Sequence, residues 1–189
     1  MMNVWGLPRT AGIGTMEYPI NADFRDVLEI IKYLNDDSRP EYLRWQIALG
    51  LFYDGDIPEE HQREAMEYLA EFISYGETEA RPGPKLMDWD QDAQIILGDV
   101  NKVAGKEVRA ESFLHWWTFL SYFYGIGEGQ LSTITSIRNK KQRGKKLEKW
   151  EDEFYKSHKS KIEFRKVKTE EDKKAEEYFV RFLYGGGNE

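Results

Sequence analysis

The chain has 189 residues, carries 34 Asp and Glu against 27 Lys and Arg, and contains no cysteine. That length fits one domain with room for a helical appendage, because single domains cluster at roughly 100 to 150 residues. The missing cysteines exclude a disulfide framework, a thiol nucleophile and a thiolate metal site. Nowhere is there an apolar run of about 18 residues or a basic-then-apolar leader, so neither a membrane span nor a signal peptide is expected.

Two short apolar runs open the chain, Val4 to Pro8 by number 4–8 and Met16 to Ile20 by number 16–20, separated by Ala11, Gly12, Ile13 and Gly14. They read as a small β-hairpin with the Gly-containing stretch as its turn. Asn21 is a suitable N-cap for a first helix, with Asp23 in its first turn and Phe24, Val27, Leu28, Ile31 and Leu34 on one face. Pro40 can open a second helix, since its missing N–H costs nothing there, and Leu43, Trp45, Ile47, Ala48, Leu51 and Phe52 give it a broad apolar surface. Pro58 with Glu59 and Glu60 announces a third, carrying Ala65, Tyr68, Leu69, Phe72 and Ile73 and stopping at Gly76. Residues 81–84, Arg-Pro-Gly-Pro, then break the helical pattern.

Asp88 with Gln91 has the spacing of a capping box, which places the start of a fourth helix there; Ala93, Ile96, Leu97, Val100 and Val103 form its stripe and Gly105 ends it. A fifth helix is expected from about Ser112 to Gly125, apolar almost all the way round. Such a helix lies in the core or under another chain. Leu131, Ile134 and Ile137 suggest a short sixth. Residues 138–168 hold 13 Lys and Arg against 5 Asp and Glu, a net of +8, while the remainder carries −15. Leu147, Trp150, Phe154 and Tyr155 run through that basic segment at helical spacing. A last helix is expected on Thr169, Asp172, Ala175, Tyr178, Phe179, Phe182 and Leu183 before a disordered end at Gly185, Gly186 and Gly187.

The chain offers little catalytic chemistry. His61, His115 and His158 stand far apart in no ligand spacing, so no metal is expected. Gly125, Gly127 and Gly129 lack a phosphate-loop pattern and read as a helix stop. Asp54, Asp56, Glu59 and Glu60 lack the alternating order of a calcium loop. No catalytic constellation, and no cofactor, follows. The aromatic stretch is the candidate functional feature: Phe113, His115, Trp116, Trp117, Phe119 and Tyr124 are the partner-binding candidates. Trp116 and Trp117 point roughly 100° apart on a helix, so one can anchor the core while the other faces a partner, and both in the core is the alternative.

Residues 18–25, 88–97, 114–119 and 134–138 together resemble the tail-assembly chaperones, or tail-assembly-associated proteins, of long-tailed bacteriophages. The block Leu114, His115, Trp116 and Trp117 is the distinctive part. The resemblance implies a non-catalytic, mainly helical protein that binds an aggregation-prone tail component, such as the tape-measure protein, in the host cytoplasm. Its matched positions here are Asp23, Phe24, Arg25, Asp88, Asp92, His115, Trp116, Trp117 and Arg138, with no catalytic residue to carry over. Residues 125–130 depart from the Leu-Pro-containing turn of that pattern.

The expected fold is mainly α, a bundle of about six to seven helices with a small N-terminal β-hairpin. Residues 1–139 form the helical core domain and residues 140–189 a charged helical extension. Self-association through the aromatic helix is one further expectation. The basic segment 138–168 offers an alternative function as a nucleic-acid-binding or packaging accessory, and a tail-completion or connector protein is another. Interleaved Glu148, Glu151, Asp152 and Glu153 argue against nucleic acid, because they favour ion pairs along a solvated helix.

Overall fold

In the computed structural model, residues 5–76 and 83–165 are described. The final expected helix and the Gly-rich end lie outside those residues, as do Arg81 and Pro82. Among the described residues the protein is mainly helical with one two-stranded antiparallel hairpin.

Strands β1 (Thr10–Ile13) and β2 (Met16–Pro19) pair directly, Ile13 opposite Met16. The first strand therefore occupies the stretch read from sequence as the turn. Side chains decide the register: Ala11 and Ile13 alternate inward and are buried, whereas Leu7 is exposed. Gly14 takes φ +58 in the two-residue turn, and a Cβ there would meet the His61 ring at 2.6 Å, so both backbone and space call for glycine.

Helices α1 (Phe24–Leu34), α2 (Glu41–Phe52) and α3 (Gln62–Ile73) follow, the third preceded by a 3-10 turn at Glu59–His61. Asp23 caps α1 by accepting from Arg25 N–H, which displaces the cap from Asn21. Asn21 instead donates from Nδ2 to the Leu51 carbonyl, tying the start of α1 to the end of α2. On α2 the buried positions are Ala48, Leu49 and Phe52, while Leu51 faces outward. Ala48 and Phe52 belong to the expected apolar surface, whereas Leu49 takes the inward place expected of Leu51.

Helix α4 (Ala93–Ala104) begins after a turn capped by Asp88, whose Oδ1 accepts from Asp90 N–H and Gln91 N–H. The expected start at Asp88 is thus a cap four residues too early for the helix itself. Gln91 does not complete a capping box; Asp92 Oδ2 accepts from Asp88 N–H, and Gln91 reaches the Glu163 carbonyl. Helix α5 is Trp116–Tyr124, and residues 112–114 are not helical, because Asp23 and His115 bridge as extended backbone. Leu114 and Trp116 exchange backbone hydrogen bonds with Phe24 and Ala22.

Helix α6 (Gln130–Gln142) is longer than its three apolar markers implied. Its N-terminus is capped from another helix: Asp99 of α4 accepts from Leu131 N–H at 2.9 Å. A Cβ on Gly129 would lie 2.6 Å from that carboxylate, so glycine permits the approach. Helices α7 (Lys149–Ser157) and α8 (Lys159–Ile162) turn back on α6 and bury Ile162 with Ile134 and Ile137 in a second small cluster. Trp150, expected on the apolar line, is exposed, and Glu151 is buried in its place, held by Lys140 at 2.7 Å. No described helix is long and apolar enough to cross a membrane.

Candidate functional site

Most of the partner-binding candidates turn out to be buried. Trp116 and Trp117 are 1% and 2% exposed, and their indole N–H groups donate to the Ile73 and Phe72 carbonyls. Those carbonyls belong to the last turn of α3, where helical donors run out, and the Phe72 carbonyl also takes the Tyr75 N–H at 3.3 Å. Both indoles therefore close the end of α3 while filling the core between α3 and α5, despite their angular separation on α5. Phe119 is buried between Phe24 and Trp116, stacked on the first at 4.7 Å. Phe113 is half-buried beneath the Arg9 guanidinium, 3.9 Å from its ring centre.

His115 sits at the N-terminus of α5 and caps it. Nδ1 accepts from Trp117 N–H, so the ring proton lies on Nε2, which donates to the Pro8 carbonyl at 3.0 Å. Burial holds its pKa below the ordinary histidine value, with Arg9 acting in the same sense against the Pro8 hydrogen bond. The neutral ring is the form that caps the helix. Asp23, opposite, accepts from Leu114 N–H and from the Arg25 side chain and backbone. Burial would raise its carboxyl, but these donors outweigh burial and hold it below the usual aspartate value.

Arg138 and Asp92 form a second node, with both side chains almost wholly buried. All five guanidinium N–H groups are used: two on Asp92, and one each on the Leu86, Ile162 and Lys161 carbonyls. Phe164 covers the guanidinium face at 4.1 Å. The node joins the segment before α4 to α6 and α8. Asp23, Phe24, Arg25, Asp88, Asp92 and Arg138 thus serve as caps, core and cross-links among the described residues.

Exposure concentrates elsewhere, at the C-terminal end of α5. Trp89 and Phe123 are partly exposed and in contact at 4.9 Å, Phe123 meets Tyr124 at 5.7 Å, and Tyr124 is 56% exposed. Val103 of α4, 42% exposed, closes on Gly125, and Ile126 follows half-buried. A strip of apolar side chains therefore runs from the turn before α4 across the end of α5. Of the sequence candidates only Tyr124 lies on it prominently. Trp89, Val103 and Phe123 were missed, because their outward placement depends on how α4 and α5 cross.

The model of the bacteriophage Gp15 protein family matches residues 6–164. The chain belongs to that family. It is accordingly a bacteriophage protein, and the Gp15 match runs from the start of the hairpin segment through both buried nodes to Phe164. No curated protein and no solved structure gives a significant match. In this Gp15 chain the residues that carried the sequence resemblance are those that join its segments.

Proposed function

We propose that the chain is a non-enzymatic tail-assembly chaperone that binds a tail component, such as the tape-measure protein, in the host cytoplasm and keeps it soluble before polymerisation. The observation that carries this reading is the strip of Trp89, Val103, Phe123, Tyr124 and Ile126 at the end of α5. An amphipathic helix binds by laying its apolar face against such a surface, with anchors spaced at i, i+3, i+4 and i+7. Membership of a bacteriophage family and the resemblance of four sequence blocks to tail-assembly proteins support the same reading. The reaction implied is association alone, and the role needs no cofactor.

Co-expression of the chain with the tape-measure protein tests this directly. The expected outcome is a higher soluble yield of the tape-measure protein and a co-purifying complex. Val103→Glu combined with Tyr124→Glu should abolish that complex while the variant itself remains folded, because both side chains are exposed. No gain in yield, or a complex indifferent to both substitutions, refutes the reading. Stoichiometric retention in purified virions, read by mass spectrometry, would favour a structural tail-completion protein instead.

A further inference from the structure

The end of α6, the loop after it and the start of α7 carry exposed basic charge that the apolar strip does not explain. Lys141, Arg143, Lys145, Lys146 and Lys149 are all exposed there, and Trp150 beside them is 57% exposed. Two of the four acidic residues interleaved with this basic run are engaged by other cations. Glu151 is buried on Lys140 and also accepts from Glu148 N–H, and Asp152 pairs with Lys156 at 2.6 Å. Among the described residues no ion pair involves Arg143, Lys145, Lys146 or Lys149.

Cations at a helix C-terminus often serve the helix itself by meeting its last carbonyls. Here that need is already met by backbone: Gly144 N–H donates to the Lys141 carbonyl and Lys145 N–H to the Lys140 carbonyl, with Gly144 in the left-handed region at φ +63. The five cations and Trp150 are thus exposed side chains within one ten-residue stretch. Lys141 lies over the Tyr155 ring at 3.5 Å, which fixes one edge of the patch.

We propose that residues 141–150 bind single-stranded nucleic acid, with the five cations along the phosphates and the Trp150 indole stacked on an unpaired base. The basic side chains call for a polyanion, and the exposed aromatic face selects one whose bases are unstacked over a duplex or an acidic polypeptide. The chain elsewhere carries a net negative charge, so the footprint is confined to this patch and is short. This site is separate from the apolar strip, and its failure leaves the chaperone reading untouched.

The test is fluorescence anisotropy of a labelled oligodeoxythymidylate of about 15 nucleotides, titrated with the full chain across a range of salt. Binding should weaken with a log–log salt slope of about −3, as expected for four to five phosphate contacts on a single strand. Lys145→Glu with Lys146→Glu should weaken binding at least roughly tenfold, and Trp150→Ala should weaken it roughly tenfold with the salt slope unchanged. Both variants alter exposed positions, and their far-ultraviolet circular dichroism should match that of the parent. Absence of binding at low salt overturns the proposal, as does binding that survives the double charge reversal. Equal competition by polyglutamate, with Trp150→Ala silent, overturns it in favour of an acidic protein partner, and equal affinity for a duplex overturns the single-strand assignment.

Discussion

The Asp23–His115 junction and the Asp92–Arg138 node solve one problem in two ways. Each holds together segments far apart in the chain through a buried aspartate. At the first, the carboxylate accepts mainly from backbone N–H groups and from Arg25, whose side chain remains 42% exposed. At the second, carboxylate and guanidinium are both removed from water, and the balance rests on every donor being used. A buried pair adds little over an apolar replacement of equal shape, yet breaking it leaves an unpaired charge inside the protein. The comparison teaches that the second node is the more brittle of the two.

Arg138→Met should produce the largest effect, a loss of about 3 to 5 kcal/mol of stability, because Asp92 is left buried without its partner. Urea denaturation measures it, and the Arg138→Met/Asp92→Leu double variant should recover most of the loss. If the double variant is as unstable as the single one, the brittleness does not reside in the charge.

Asp23→Ala should cost less, about 1 to 3 kcal/mol, by removing the α1 cap and orphaning the buried Leu114 N–H. A loss exceeding that of Arg138→Met would reverse the comparison. Trp117→Phe belongs at the lower end of that range, about 1 kcal/mol, since it keeps an aromatic in the core and removes the indole bond from the Phe72 carbonyl, which retains the Tyr75 N–H at 3.3 Å. Its partner binding should be intact once the variant is folded, because the side chain is not on the exposed strip.

The first junction carries a pH dependence near neutrality. The folded His115 pKa lies below that of the unfolded chain, so the unfolded state takes up the proton first as pH falls. Stability should therefore be full above about pH 7 and decline through about pH 6.5 and below. Asp23, held below its ordinary value, stays ionised across that window. His115→Asn keeps a capping acceptor and should flatten the part of the slope that belongs to this ring, read as melting temperature against pH. The smallest expected effect is that of Tyr124→Ala on folding, within about 0.5 kcal/mol.

The mainly helical fold with its N-terminal hairpin was legible because its signals are local. Pro40 and Pro58 mark where helical segments start, and Gly105, at φ +66, marks where α4 ends. What escaped sequence reading depends on partners distant along the chain. Asp99 caps a helix that begins some thirty residues later, and in sequence it interrupts an apolar stripe as any surface aspartate would. His115 looked helical among its aromatic neighbours, but the Asp23 carboxylate and the Phe24 N–H draw residues 114–115 into extended backbone first. The aromatic block was singled out from sequence as the partner-binding candidate. Burial accounts for most of it, while the exposed strip joins its far end to Trp89 and Val103, residues no local pattern connects with Tyr124.

The span between Arg138 and its acceptors orders events during synthesis. Ile162, whose carbonyl takes the Arg138 Nε–H, lies 24 residues further along. At a translation rate of ~5 to 20 residues per second, the guanidinium waits roughly one to five seconds before that acceptor has even been made. Trp117 meets a different schedule, since the α3 carbonyl it needs was made 45 residues before it. On the ribosome the hairpin, α1, α3 and α5 can therefore close before Arg138 has its acceptors, and among the described residues the contact of α6 with α8 locks after them.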